Sequence, residues 1–286
     1  MKLEQLSISH RSITIAAVLV GMVSLAIGAH AALNKRALDA AKALATEQST
    51  EANGKASRVA LVIGNGHYPD ASAPLSQPIN DARALTAALR RNGFEVDVIE
   101  DASKDDMHRA ISRLKSKIRP DSVVMLFFGG YGIQAGRESY MIPVDATIWK
   151  ESDVRREGLS IEQVLDMMKE QGACAKLVVL DASRRNPYER RFRAFSHGLA
   201  PINTPDNALV LTSATPGQVA EDSHGPDSVL VSELLNNLNA QAAIAETIFN
   251  KTRVAISRAS DGAQVPSVSS SLMEDVYLGS SENAGG

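Results

Sequence analysis

The sequence predicts an α/β protein with a mainly parallel central sheet of about six strands and helices on both faces. Three observations carry this. Short unbroken apolar runs recur, among them Val59-Ala-Leu-Val-Ile63, Ser122-Val-Val-Met-Leu-Phe-Phe128 and Leu177-Val-Val-Leu180. Strands buried on both faces read this way. The runs alternate with helix-period segments of about 10 to 15 residues that carry cap signals. Apolar content of 44% with 22% charged residues is ordinary for a globular chain of this class.

A chain of 286 residues holds one large or two small domains. Its net charge of −3 argues against wholesale nucleic-acid binding. No internal repeat is visible, and low complexity is confined to the two ends.

Residues 1–31 lie outside the predicted fold. Lys2 and Arg11 precede an apolar run from Ile13 to Ile27, and Gly28-Ala-His-Ala31 follows with small residues in the A-x-A arrangement. This is a secretory signal in its three parts. The rival reading is an uncleaved membrane anchor, because Ile13 to Leu33 is long enough to span a bilayer. Either way the bulk of the protein is expected outside the cytoplasm, secreted or periplasmic. Residues 32–57 read as an Ala-rich, then polar linker, 58–279 as the domain, and 280–286 as a loose tail. The single cysteine, Cys174, forms no internal disulfide and reads as an inert small filler.

From Arg58 the elements follow in order. Val59–Ile63 is a strand that ends in Gly64-Asn-Gly-His-Tyr68. The G-x-G-x-x-G pattern of a phosphate loop fails there, and no cofactor or metal is assigned. A helix begins at Asn80 or Asp81, either of which would cap it, and stops at Asn92-Gly93. Phe94–Ile99 is the next strand. Ser103 starts a helix to about Ile118, with Asp106 completing a capping box. The strand 122–128 runs into Gly129-Gly-Tyr131-Gly132. Ser160-Ile-Glu-Gln163 is a second capping box for a helix to about Glu170. The strand 177–180 stops abruptly in Asp181-Ala-Ser183-Arg184. Ala208–Thr212 is a further strand, Ser232–Leu238 and Ile244–Ile256 are helices, and Gln264-Val-Pro266 with Val276-Tyr-Leu278 closes the core. In open α/β sheets ligands collect at the strands' carboxyl ends. Tyr131 and Ser183, 52 residues apart, should therefore meet on adjoining loops.

At these loops the sequence resembles the caspase-like cysteine peptidases, in particular their paracaspase, metacaspase and bacterial orthocaspase branch. That branch reads Ala-Gly-His-Gly-Ile-Gln around its base and Asp-Ala-Cys-Arg-Asn-Asn-Pro around its nucleophile. In caspases the two lie about 50 residues apart. Here the stretches are Gly129-Gly-Tyr131-Gly-Ile-Gln134 and Asp181-Ala-Ser183-Arg-Arg-Asn-Pro187. Tyr140-Met-Ile-Pro-Val-Asp145 and Pro78-Ile-Asn-Asp81 are similar to further family segments, and the likeness runs from Arg58 to about Gly279. It implies a caspase-like fold with both members of the catalytic pair replaced, by Tyr131 and Ser183.

The chemistry agrees. A caspase-type site needs a thiol that ionises easily and an imidazole that shuttles its proton. A serine hydroxyl is a far weaker nucleophile and requires a positioned base. Tyr131 could act only as tyrosinate, about one part in a thousand at pH 7 for a reference pKa near 10. Tyr131 is expected to fill the space of the lost imidazole, and Ser183 to donate one hydrogen bond. His197 and His67 are the candidate stand-in bases; solvated bystanders are the plainer reading. Two acids survive, Asp81 and Asp181. The resemblance implies that they form a pocket gripping an Arg or Lys side chain; the bland readings are a helix cap and a loop brace. Arg184, Arg185, Arg190, Arg191 and Arg193 crowd one loop, either solvated and paired with nearby acids or holding an anionic partner.

Three functions follow as expectations. The first is an exported, catalytically inactive caspase-like protein acting by binding or regulation. The second is a residual hydrolase using Ser183. The third is a surface-tethered module that binds anionic partners through the arginine loop.

Overall fold

The computed structural model describes residues 57–69, 74–191, 197–220, 225–238 and 243–278. The segment 1–31, all but the last residue of the 32–57 linker, Arg193 and the tail 280–286 lie outside these residues. Among the described residues no helix is long and apolar enough to cross a membrane.

Five strands form the body of the main sheet, four buried runs and the half-exposed edge strand β2: β1 (Arg58–Gly64), β2 (Glu95–Glu100), β3 (Val123–Gly129), β7 (Ala175–Asp181) and β8 (Ala208–Thr212). A sixth strand, β9 (Ser267–Ser270), closes the order β2-β1-β3-β7-β8-β9. Every pair is parallel except β8 with β9, which is antiparallel. Every residue of β3 and β7 is buried. Central strands covered on both faces must be apolar throughout, and this explains their continuous runs.

Helices cover each face. On one side α2 (Lys104–Lys117) and α4 (Ile161–Glu170) place Met107, Leu114, Leu165 and Met168 against Leu61, Leu126 and Leu180. On the other, α1 (Pro78–Arg91), α5 (Val229–Leu238) and α6 (Ala245–Ala259) place Leu85, Leu234 and Phe249 against Val62, Phe127 and Val179. The alternation of side chains along each strand sends neighbouring residues to opposite layers.

The caps are partly as expected. Ser103 and Asp106 form a full capping box on α2. On α4, Ser160 Oγ accepts from the Gln163 N–H. The start of α1 differs from expectation. Its cap position is Gln77 and Pro78 is its first residue, so neither Asn80 nor Asp81 caps it. Proline suits that position because its fixed φ matches the helix and its missing N–H is not needed there. Asp81 then falls one turn inside, free to point elsewhere. The late helix also begins earlier than its periodicity suggests, at Val229, behind Ser228.

A second, three-stranded sheet is absent from the sequence reading: β4 (Gly132–Ala135), β5 (Glu138–Met141) and β6 (Leu159–Ser160), all antiparallel. A short helix, α3 (Glu151–Glu157), precedes β6. This sheet carries its own apolar cluster, in which Tyr68, Tyr131, Tyr140, Ile142, Ile148 and Tyr188 pack together. Cys174 is exposed rather than a core filler. It precedes β7, at the end of the strand opposite Ser183.

Candidate active site

The carboxyl ends of β1, β3 and β7 are bound into one edge. Gly64 pairs with Gly129, and Gly129 with Asp181. Beyond the strands the chain stays stitched. Gly130 N–H donates to the Asp181 carbonyl at 3.2 Å and Gly132 N–H to the Ala182 carbonyl at 3.0 Å. Tyr131 is thus held between two residues anchored on the very loop that carries Ser183. Gly132 is needed for this approach: a Cβ there would lie 2.8 Å from the Ala182 carbonyl oxygen and 2.6 Å from Leu199.

Tyr131 is buried, and its ring meets that of Tyr68 edge-on with centroids 4.8 Å apart. Tyr68 in turn donates from its hydroxyl to the Ile142 carbonyl at 2.9 Å and accepts the Tyr131 N–H at 3.1 Å. Burial pushes the Tyr68 hydroxyl well above its ordinary pKa. Tyr131 thus belongs to the apolar cluster of the second sheet.

Ser183 departs from expectation. Its backbone is fixed at both ends, the N–H donating to Ser213 Oγ at 3.3 Å and the carbonyl accepting from Ala220 N–H at 2.6 Å. Its side chain is 0% exposed, and Oγ has no hydrogen-bond partner among the described residues. Among the described residues it does not donate the bond expected of it. Neither histidine serves it. His67 is exposed, and its Nδ1 lies 2.5 Å from Asp101, the residue directly after β2, on the side of β1 away from β7. His197 is exposed, 3.9 Å from Glu189.

The two acids do come together. The first turn of α1 rests on the glycines that end β1 and β3: a Cβ at Gly64 would sit 2.4 Å from the Pro78 carbonyl oxygen, and one at Gly129 3.3 Å from Pro78 Cβ. This sets Asp81, 0% exposed, over the strand ends beside Asp181, 3% exposed. Asp81 Oδ1 accepts the Ser228 N–H at 2.8 Å, while Oδ2 has no partner among the described residues. Burial, with the charge of Asp181 adding to it, pushes the Asp81 carboxyl up to about 7. Asp181 meets a cation from its own loop: Arg184 Nη2 lies 3.2 Å from Asp181 Oδ2, and both side chains are almost fully buried.

The arginine loop is therefore not uniformly solvated. Arg184 is folded inward. Arg191 donates to the Ile148 carbonyl at 2.7 Å and lies 4.5 Å over the ring of the exposed Trp149. Arg185 and Arg190 face solvent.

Residues the sequence reading missed complete the edge. Gly225 to Ser228 is tied to the start of α1 by Gln77 Nε2 on the Gly225 carbonyl at 3.0 Å and Asn80 Nδ2 on the Pro226 carbonyl at 3.1 Å. The signal was present: Ser228 directly before Val229-Leu-Val is a helix start. Asn186 accepts the Tyr188 N–H at 2.9 Å through Oδ1, leaving Nδ2 buried without a partner among the described residues. Asp81 Oδ2, Ser183 Oγ and Asn186 Nδ2 are thus three buried polar atoms without a partner among the described residues.

A mainly parallel six-stranded sheet with two loops converging at the carboxyl ends of its central strands defines an α/β protein with its candidate site at that edge. The caspase domain family (peptidase C14) matches residues 57–277, and the chain belongs to it. It is 30% identical over 145 residues to human mucosa-associated lymphoid tissue lymphoma translocation protein 1, covering 50% of this chain and 17% of that protein. The mouse homolog is 30% identical over 134 residues, 46% of this chain and 16% of its own length. The chain thus spans about a sixth of the curated relatives it matches.

Proposed function

We propose that this caspase-domain protein does not cleave peptides and acts by binding, as a decoy or regulator, receiving a basic side chain at Asp81 and Asp181. The observation that carries the reading is chemical. At the two positions where the resemblance implies imidazole and thiol stand a phenol packed among tyrosines and a buried hydroxyl with no described proton acceptor. A serine without a base is not an activated nucleophile. The acids are in a different condition. Asp81 keeps an oxygen that no described donor reaches, and a charge-assisted hydrogen bond to such an oxygen contributes roughly 1.5–3 kcal/mol.

Weak binding follows, because Arg184 already neutralises one acid. Calorimetry with a peptide carrying a free Arg side chain should give a Kd between about 1 mM and 1 μM, roughly −4 to −8 kcal/mol. The norleucine counterpart should not bind, and Asp81→Asn should weaken the Arg peptide at pH 8. Equal binding of both peptides, or of neither, would leave the acids a purely structural pair.

A further inference from the structure

We propose that Arg184 is a built-in occupant of the acid pair: its guanidinium holds the position an incoming basic side chain would take and must swing out before a ligand binds. This rests on the binding reading above and adds to it a gate and the residue that forms it.

Three observations support it. Arg184 is 5% exposed although it belongs to an arginine-rich loop whose neighbour Arg185 is exposed. Long cationic side chains normally keep their heads in water, and one is drawn inside only where a carboxylate compensates it. Here the compensating group is Asp181, one of the two acids of the candidate site. The contact with Asp181 is also not of the tightest kind: the Nη2–Oδ2 distance is 3.2 Å, beyond the short range of the strongest charge-assisted pairs, and Asp81 Oδ2 receives no described donor. An occupant that engages both acids could therefore do better than Arg184 does. Finally, the backbone around Arg184 is pinned at Ser183 by Ser213 and Ala220, and its own N–H donates to the Ala182 carbonyl at 2.8 Å. Side-chain rotation of Arg184 can then open the acids without moving the loop. A side chain that holds the ligand's place reduces apparent affinity by the fraction of molecules in which it is displaced.

The test is calorimetry of the Arg peptide against the native chain, Arg184→Gln and Arg184→Lys. Glutamine removes the charge at similar reach. Lysine keeps the charge but loses the planar fork, so it holds Asp181 less firmly. Binding should tighten at least tenfold in Arg184→Gln and by less in Arg184→Lys, with the norleucine peptide still not bound. Should Arg184→Gln fail to fold, Arg184→Lys carries the comparison. Methylguanidinium at millimolar concentration should then restore folding of Arg184→Gln, where methylammonium does not. If the native chain prefers the Arg peptide and the variants bind it no more tightly, the gate is wrong and the binding reading stands. If no form binds the Arg peptide, both fall.

Discussion

The two halves of the candidate site are packed in opposite ways. Tyr131 has been absorbed into an apolar cluster, its ring against Tyr68 and its backbone anchored on the β7 loop. The acid half has not been absorbed. Asp81, Asp181 and Arg184 form a buried group of charges in which one carboxylate oxygen lacks a described donor. A buried ring completes a core, whereas buried charges persist only if something compensates them. The Tyr131 side of the edge is thus packed as core, while the acid side keeps a carboxylate oxygen that no described donor reaches.

Stability is the sharpest way to break this comparison. Asp181→Ala leaves Arg184 buried without its carboxylate and should cost about 3–5 kcal/mol. Tyr131→Leu loses an edge-on ring contact and some volume in a forgiving cluster, about 1–3 kcal/mol. Urea unfolding of both variants beside the native chain reads the difference directly. A larger loss at Tyr131 would invert the assignment of the two halves.

The smaller effect is a pH dependence. Burial and the neighbouring Asp181 charge place the Asp81 carboxyl near 7, against 3.8 for the free side chain. The folded state therefore holds this proton more tightly than the unfolded state does. Its contribution is full below about pH 4 and is lost as pH rises from there to about 7, roughly 4 kcal/mol at most. Asp81→Asn should remove this slope and be as stable as the native chain or more so at pH 8. The same ionisation should strengthen Arg-peptide binding as pH passes through about 7. Thermal unfolding from pH 4 to pH 8 checks the first claim, and an unchanged slope in Asp81→Asn would show that the proton resides elsewhere.

Much of this was legible in the sequence because continuous apolar runs admit one interpretation once helices alternate with them. The strands β1, β3, β7 and β8, the Ser103 cap and the Tyr131–Ser183 juxtaposition came from that logic, whereas the order of strands in the sheet came only from the structure. The second sheet did not, since β4, β5 and β6 are two to four residues long and take their order from antiparallel partners rather than from periodicity. Nor did β9, where Ser267-Val-Ser-Ser270 is an edge strand of mostly polar residues. Asp81 looked like a cap because caps are commonly aspartates. Only the tertiary structure shows that Pro78 starts the helix and frees Asp81 to face Ser228. Arg184 could not be placed from composition either: a run of arginines reads as solvated, and a buried carboxylate three residues upstream overrides that.

The central claim, recognition kept and cleavage lost, is tested most directly by incubating the native protein with Arg- and Lys-containing peptides and following bond cleavage, with Ser183→Ala alongside. The account predicts no turnover by either protein. Turnover by the native chain that disappears in Ser183→Ala would contradict it, because Ser183 would then have a working base that its surroundings do not reveal.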